Sequence, residues 1–130
     1  LSEDLGGCAL VTSEEVAAAV GAPVGEGEDR GLAGCGWKTD SGIEVVLHVY
    51  AGSMLAAATC ESQKSLVSGR QQPVADLGDE AVWGSSGDLV VCSRHAVLKI
   101  DVDNTPNTPD EDRAVAVAVA RAAMGRLARG

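Results

Sequence analysis

Aromatic side chains are nearly missing from this chain: it has no phenylalanine, and Trp37, Trp83 and Tyr50 are its whole complement. A core must then be built from valine, alanine and leucine, each of which removes less apolar area from water, at about 25 cal/mol per Å². Such a core needs close backbone approach or a second source of stability. Basic residues are scarce as well, Lys+Arg 10 against Asp+Glu 19, for a formal net charge of -9. With no basic patch to displace counterions from a phosphate backbone, nucleic acid is excluded as a partner. No apolar run approaches the roughly 20 residues that cross a bilayer, which excludes a transmembrane segment. There is no CxxC pair, and only His48 and His95 could complete a Cys/His zinc site, so no metal centre and no cofactor are expected.

What is present suits one compact domain over residues 1–130. At 45% hydrophobic content the chain is not disordered, and its length lets it bury about two-thirds of its unfolded surface. Four cysteines, Cys8, Cys35, Cys60 and Cys92, are even in number and widely spaced. They read as two disulfides, the alternative being four buried reduced thiols in a cytosolic protein; four cysteines allow three connectivities. Two disulfides imply an oxidising compartment, so an extracytoplasmic location is expected, in the cell envelope or secreted. The chain starts at Leu1 rather than Met, as a processed or trimmed protein would. Leu5-Gly6-Gly7-Cys8 mimics a lipobox, but Ser2, Glu3 and Asp4 stand where an apolar segment belongs, so Cys8 is not read as acylated. A lipid anchor upstream of residue 1 is left open.

Local signals give an element order of α-β-β-α-β-β-β-α. Thr12-Ser13-Glu14-Glu15 forms a capping box for a helix over 12–20, Val11 and Val16 occupy its hydrophobic staple, and Gly21 ends it. Residues 22–34 read as a loop. Residues 35–39 and 43–50 read as a hairpin, the second strand alternating Ile43, Val45, Leu47 and Val49 with Glu44, Val46, His48 and Tyr50. A second helix is expected over 53–67 with Cys60 in its middle, then a connector over 70–79. Strands over 80–83 and 89–93 flank the turn Gly84-Ser85-Ser86-Gly87, and 96–102 alternates most clearly of all. Thr108-Pro109-Asp110-Glu111 opens a last, Ala/Val-rich helix running to about residue 128. The fold class is α+β, an antiparallel sheet of about five strands with helices packed on it.

Several of these strings resemble an actinobacterial exported lipoprotein family, that of domain of unknown function 3558. They are Cys8-Ala9-Leu10-Val11-Thr12-Ser13-Glu14-Glu15-Val16 ahead of a small-residue helix, Cys35-Gly36-Trp37 entering the first hairpin, and Leu77-Gly78-Asp79-Glu80-Ala81 before a Trp-containing strand. The resemblance spans nearly the whole chain and implies an exported, often lipid-anchored domain without a known activity. It also implies a Cys8–Cys35 pairing, since both stand at the family's cysteine positions. In that arrangement one disulfide pins the first helix to the first hairpin, and Cys60–Cys92 ties the second helix to a later strand. Each would contribute on the order of 3–4 kcal/mol in the chain-entropy model.

Chemistry-bearing motifs are sparse. Gly84-Ser85-Ser86-Gly87 lacks one residue of a GxSxG nucleophile elbow, and a hairpin serine beside His95 is ordinarily inert. The loop Gly25-Glu26-Gly27-Glu28-Asp29-Arg30-Gly31 misses a dinucleotide fingerprint by one place, and its acids would repel a pyrophosphate. Asp101, Asp103, Thr105 and Asp112 fall at calcium-loop positions, but Pro106 replaces the required glycine, so a capped acidic loop is the better reading. The function expected is therefore a non-catalytic cell-envelope binding or sensing module. The alternative is a small protein-interaction partner, an inhibitor or regulator of an exported enzyme. Its partner would be a small molecule, a cell-wall component or an envelope protein. His48, Tyr50, Arg94 and His95 are the expected contact surface, with Trp37 and Trp83 lining a cleft or, more simply, anchoring the core. An apolar pocket lined by a Trp and a few polar groups would favour the binding module.

Overall fold

The computed structural model describes residues 6–31, 33–51, 59–94 and 96–129. Within these the chain forms a seven-stranded antiparallel sheet and four helices. In chain order they are α1 (Gly7–Leu10), α2 (Ser13–Val20), β1 (Glu28–Asp29), β2 (Gly34–Lys38), β3 (Glu44–Ala51), α3 (Cys60–Lys64), β4 (Gln71–Pro73), β5 (Glu80–Gly84), β6 (Asp88–Cys92), β7 (Ala96–Asp103) and α4 (Pro109–Arg129). The strands lie in the order β1-β2-β3-β7-β6-β5-β4, so the two halves of the chain meet where β3 pairs with β7.

The α+β class and the antiparallel sheet agree with the sequence patterns; the count of about five strands does not. The two further strands are the edges, β1 inside the expected loop and β4 inside the expected connector. At two and three residues they are too short to alternate legibly, and each exists because a longer neighbour offers it a free edge. The second helix also differs. Thr59 is extended, with φ -76° and ψ 163°, and its hydroxyl accepts from the Ser62 amide, so the helix starts at Cys60 instead of running through it. The expected helical stretch over 53–58 lies outside the described residues.

Two caps form as their sequences dictate. The Thr12 hydroxyl accepts from the Glu15 amide at 3.1 Å while the Glu15 carboxylate accepts from the Thr12 amide at 2.9 Å. Thr108 and Glu111 repeat the exchange at the start of α4, at 3.2 and 2.9 Å. Val11 and Val16, the staple pair, are both buried in the main core.

Alternation along each strand sorts the side chains between two faces. One face carries Val45, Leu47 and Val49 of β3, Leu98, Ile100 and Val102 of β7, and both tryptophans. Helices α1, α2 and α4 cover it, α4 presenting Val115, Ala116, Val119, Ala120 and Ala123. These small residues let a 21-residue helix approach the strands closely enough to compensate for the missing large side chains. Gly7 serves the same end: a Cβ there would lie 2.7 Å from the Leu47 carbonyl oxygen. The second face is covered in part by α3 and Val67, over Val90, Cys92 and Val97. No helix among the described residues is long and apolar enough to cross a membrane.

Candidate functional site

Disulfides join Cys8 to Cys35 and Cys60 to Cys92, closing sequence separations of 27 and 32 residues. Both pairings are the expected ones, although Cys8 lies in α1, a four-residue helix absent from the expected element order, rather than at the front of the capped helix that follows it. The Cys8 sulfur is thereby committed and offers no thiol for acylation.

Of the six residues expected at a contact surface, the five described ones are divided between the two faces of the sheet and a turn. Trp37 and Trp83 lie on the helix-covered face, 2% and 1% exposed. His48 and Tyr50 project from the opposite face of β3, because an even spacing from the core positions is replaced there by an odd one. Arg94 is exposed in the turn between β6 and β7, and His95 lies outside the described residues.

His48 and Tyr50 are brought together, their rings within 5° of parallel and 6.2 Å apart between centroids. The His48 ring rests on Gly34, its cross-strand partner, where a Cβ would come within 2.6 Å of the ring. Burial and then the nearby Lys99 push the His48 pKa down, favouring the neutral imidazole. Burial and then Asp101 push the Tyr50 phenol up. Arg30 lies over Gly36 and pairs with Glu44. Farther along this face Asp88 is 7% exposed; its Oδ2 accepts from the Ser68 amide at 3.3 Å while Oδ1 has no partner. Burial raises its pKa, as it does those of Asp101 and Asp103.

The four acidic-loop residues are not gathered around a point. The Thr105 hydroxyl sits 2.8 and 2.9 Å from the two Asp112 carboxylate oxygens, fastening the loop to α4, whereas Asp101 and Asp103 belong to β7. One trio of possible metal-ligating groups does converge among the described residues, Cys60, Glu61 and Glu80, but the Cys60 sulfur is in a disulfide and is no thiolate. Ser85 is also engaged: its Oγ accepts from the Arg70 amide at 2.7 Å.

The feature that sequence reasoning missed is a groove between the sheet edge and α4. At one end a hollow of about 420 Å³ is lined by Arg70, Gln72, Trp83, Ser85, Pro109 and Asp110. A second, of about 510 Å³, shares Asp110 and continues along Val74, Ala75, Arg113, Ala114, Val117, Ala118 and Arg121. The local reasons are simple. Gln72 pairs with Trp83, so Arg70, Gln72 and Val74 point to the helix-covered face, just beyond the flank of α4. On α4, residues 113, 117 and 121 recur at helical spacing and fall in one line.

Its electrostatics are distinctive in so acidic a chain. Among the described residues Arg30, Lys64 and Arg126 make ion pairs. Among the described residues no carboxylate lies within ion-pair distance of Arg70, Arg113 or Arg121, and the Arg113 Nε is shielded from solvent without an acceptor. The 113/117/121 spacing was legible in the sequence; the arrival of Arg70 and Gln72 beside it was not. Comparison with known proteins returns no matching family model, no matching curated protein and no matching solved structure.

Proposed function

We propose that this domain is a non-catalytic binding or sensing module of the cell envelope, and that its ligand lies in the groove between β4 and α4. The observation that carries the reading is the hollow beside the start of α4: its volume of about 420 Å³ falls in the range of ligand sites, and an arginine, an amide, a hydroxyl and a carboxylate line it above the buried Trp83. The extracytoplasmic part rests on the two disulfides, which persist in oxidising compartments, and on the resemblance to exported lipoproteins. The groove side chains suit holding rather than turnover, since the Ser85 Oγ is engaged as an acceptor by the Arg70 amide.

A second reading, a small regulator of an exported enzyme, draws on the groove's extended, half-open form. The test is a native mass spectrum of the chain purified from producing cells without reductant, beside Gln72→Trp, which fills the hollow. Extra mass on the wild type and its loss from Gln72→Trp are expected. A ligand retained by Gln72→Trp overturns the groove, and a bare wild-type chain overturns the small-ligand form of the reading in favour of a protein partner.

A further inference from the structure

We infer that the occupant of the α4 half of this groove is an acidic segment of a partner protein, bearing two carboxylates about 12 Å apart with small apolar side chains between them. The inference rests on the reading of the groove as the binding site and names the chemistry it selects. Arg113 and Arg121 are two turns and a little more apart on α4, which separates their Cα atoms by about 12 Å along the axis. Between them run Ala114, Val117 and Ala118, facing Val74 and Ala75 across the groove. The pattern is cation, apolar strip, cation, and its complement is acid, apolar, acid.

A carboxylate suits these guanidinium groups, because two parallel N–H donors match its two oxygens. Neither Arg113 nor Arg121 has a carboxylate within ion-pair distance among the described residues, so both guanidinium groups are left to such a partner. Asp110, just N-terminal to Arg113 in the same groove, repels a carboxylate that slides past it and so helps set the register. A sugar chain is disfavoured, since Trp83 is 1% exposed and presents no open ring face on which a pyranose could lie. Addition of a strand to the sheet edge is disfavoured too, because Pro73 in β4 has no N–H to donate. The segment is therefore held by side chains rather than by a backbone ladder.

Fluorescence polarisation with labelled ten-residue peptides tests this. One peptide carries two glutamates four positions apart, a span of about 13 Å in an extended chain, with valine and alanine between them. Its counterpart has glutamine in place of both glutamates. The acidic peptide should bind the wild type, bind Arg113→Glu/Arg121→Glu at least about tenfold more weakly, and weaken with added salt. Lys38→Glu/Lys99→Glu, an equal change of charge on the opposite face of the sheet, should bind it as the wild type does, and circular dichroism should confirm that all variants fold. Equal binding of the glutamine peptide overturns the acidic class, as does an equal loss in Lys38→Glu/Lys99→Glu, which would reflect net charge alone. No binding of either peptide overturns the inference, while Gln72→Trp still decides the groove itself by native mass. A dimer in sedimentation velocity that Arg113→Glu/Arg121→Glu dissolves would assign the strip to a second copy of this chain instead.

Discussion

The backbone of Gly27 lies against the indole of Trp37, so close that a Cβ at residue 27 would sit 2.9 Å from Nε1 and 2.5 Å from the Cys35 sulfur. Neither neighbour can yield: Trp37 and Cys35 are buried, and the sulfur is held in the Cys8–Cys35 disulfide. Gly27→Ala should therefore destabilise the domain by about 1–3 kcal/mol through overpacking. Gly25→Ala, whose Cβ would meet only the Lys38 carbonyl oxygen at 4.0 Å, should stay within about 0.5 kcal/mol of the wild type. Urea unfolding followed by tryptophan fluorescence distinguishes the two, and equal midpoints would show that the first loop is not packed on the indole.

The Cys60–Cys92 disulfide fastens α3 over a small cluster of Val67, Val90 and Val97. Cys60→Ser/Cys92→Ser should lower stability by about 3–4 kcal/mol, the chain-entropy value for a loop of this size. The loss should appear in denaturant unfolding without reductant, and reductant should then cost the variant less than it costs the wild type. A loss below about 1 kcal/mol would mean that α3 is held by its packing alone.

Asp88 gives the fold a pH dependence of definite sign. Burial raises its folded pKa, partly offset by the Ser68 amide and Lys99, while Asp103 adds to the rise. At pH 7 the charged carboxylate therefore opposes folding, and this opposition disappears as pH falls through the raised folded pKa toward the unfolded value of about 3.9. Asp88→Asn should be the more stable protein at pH 7, with the difference closing on acidification. Denaturant midpoints across that window are the readout. A gap that widens on acidification would mean the carboxylate is stabilised in the fold.

Arg126 ties the last helix to the first two, donating to the Leu10 carbonyl oxygen at 2.9 Å and to the Glu15 carboxylate at 2.7 Å. Partial burial pushes the Glu15 carboxyl up, but the Thr12 amide and Arg126 more than offset it and hold its pKa below the usual value. Arg126→Ala should cost about 0.5–1.5 kcal/mol, mostly through the Leu10 carbonyl left without its donor. A double-mutant cycle with Glu15→Gln should give a coupling below about 1 kcal/mol, since both side chains are a third exposed.

Features governed by neighbours in the chain were legible in advance. The Thr12/Glu15 and Thr108/Glu111 caps, the Gly21 stop and the period-two runs in β3 and β7 all depend on side chains a few residues apart. Cysteine parity foretold two disulfides for a similar reason, being a count. The edge strands β1 and β4 were not legible, because two or three residues carry no period and gain strand geometry only from a partner. The helix start at Cys60 turned on one capping threonine that a composition pattern overlooks.

The candidate site divides along the same line. Sequence by itself determined the acidic balance, the small-residue core and the two-disulfide framework. Only the tertiary structure decided that β7 inserts beside β3, which leaves β4 at the margin and brings Arg70, Gln72 and Val74 alongside α4. It also decided that Trp83 and His48 occupy opposite faces. Periodicity fixes which residues share a face of one strand, whereas the pairing order, set by burial summed over the whole chain, fixes which strands share a neighbourhood.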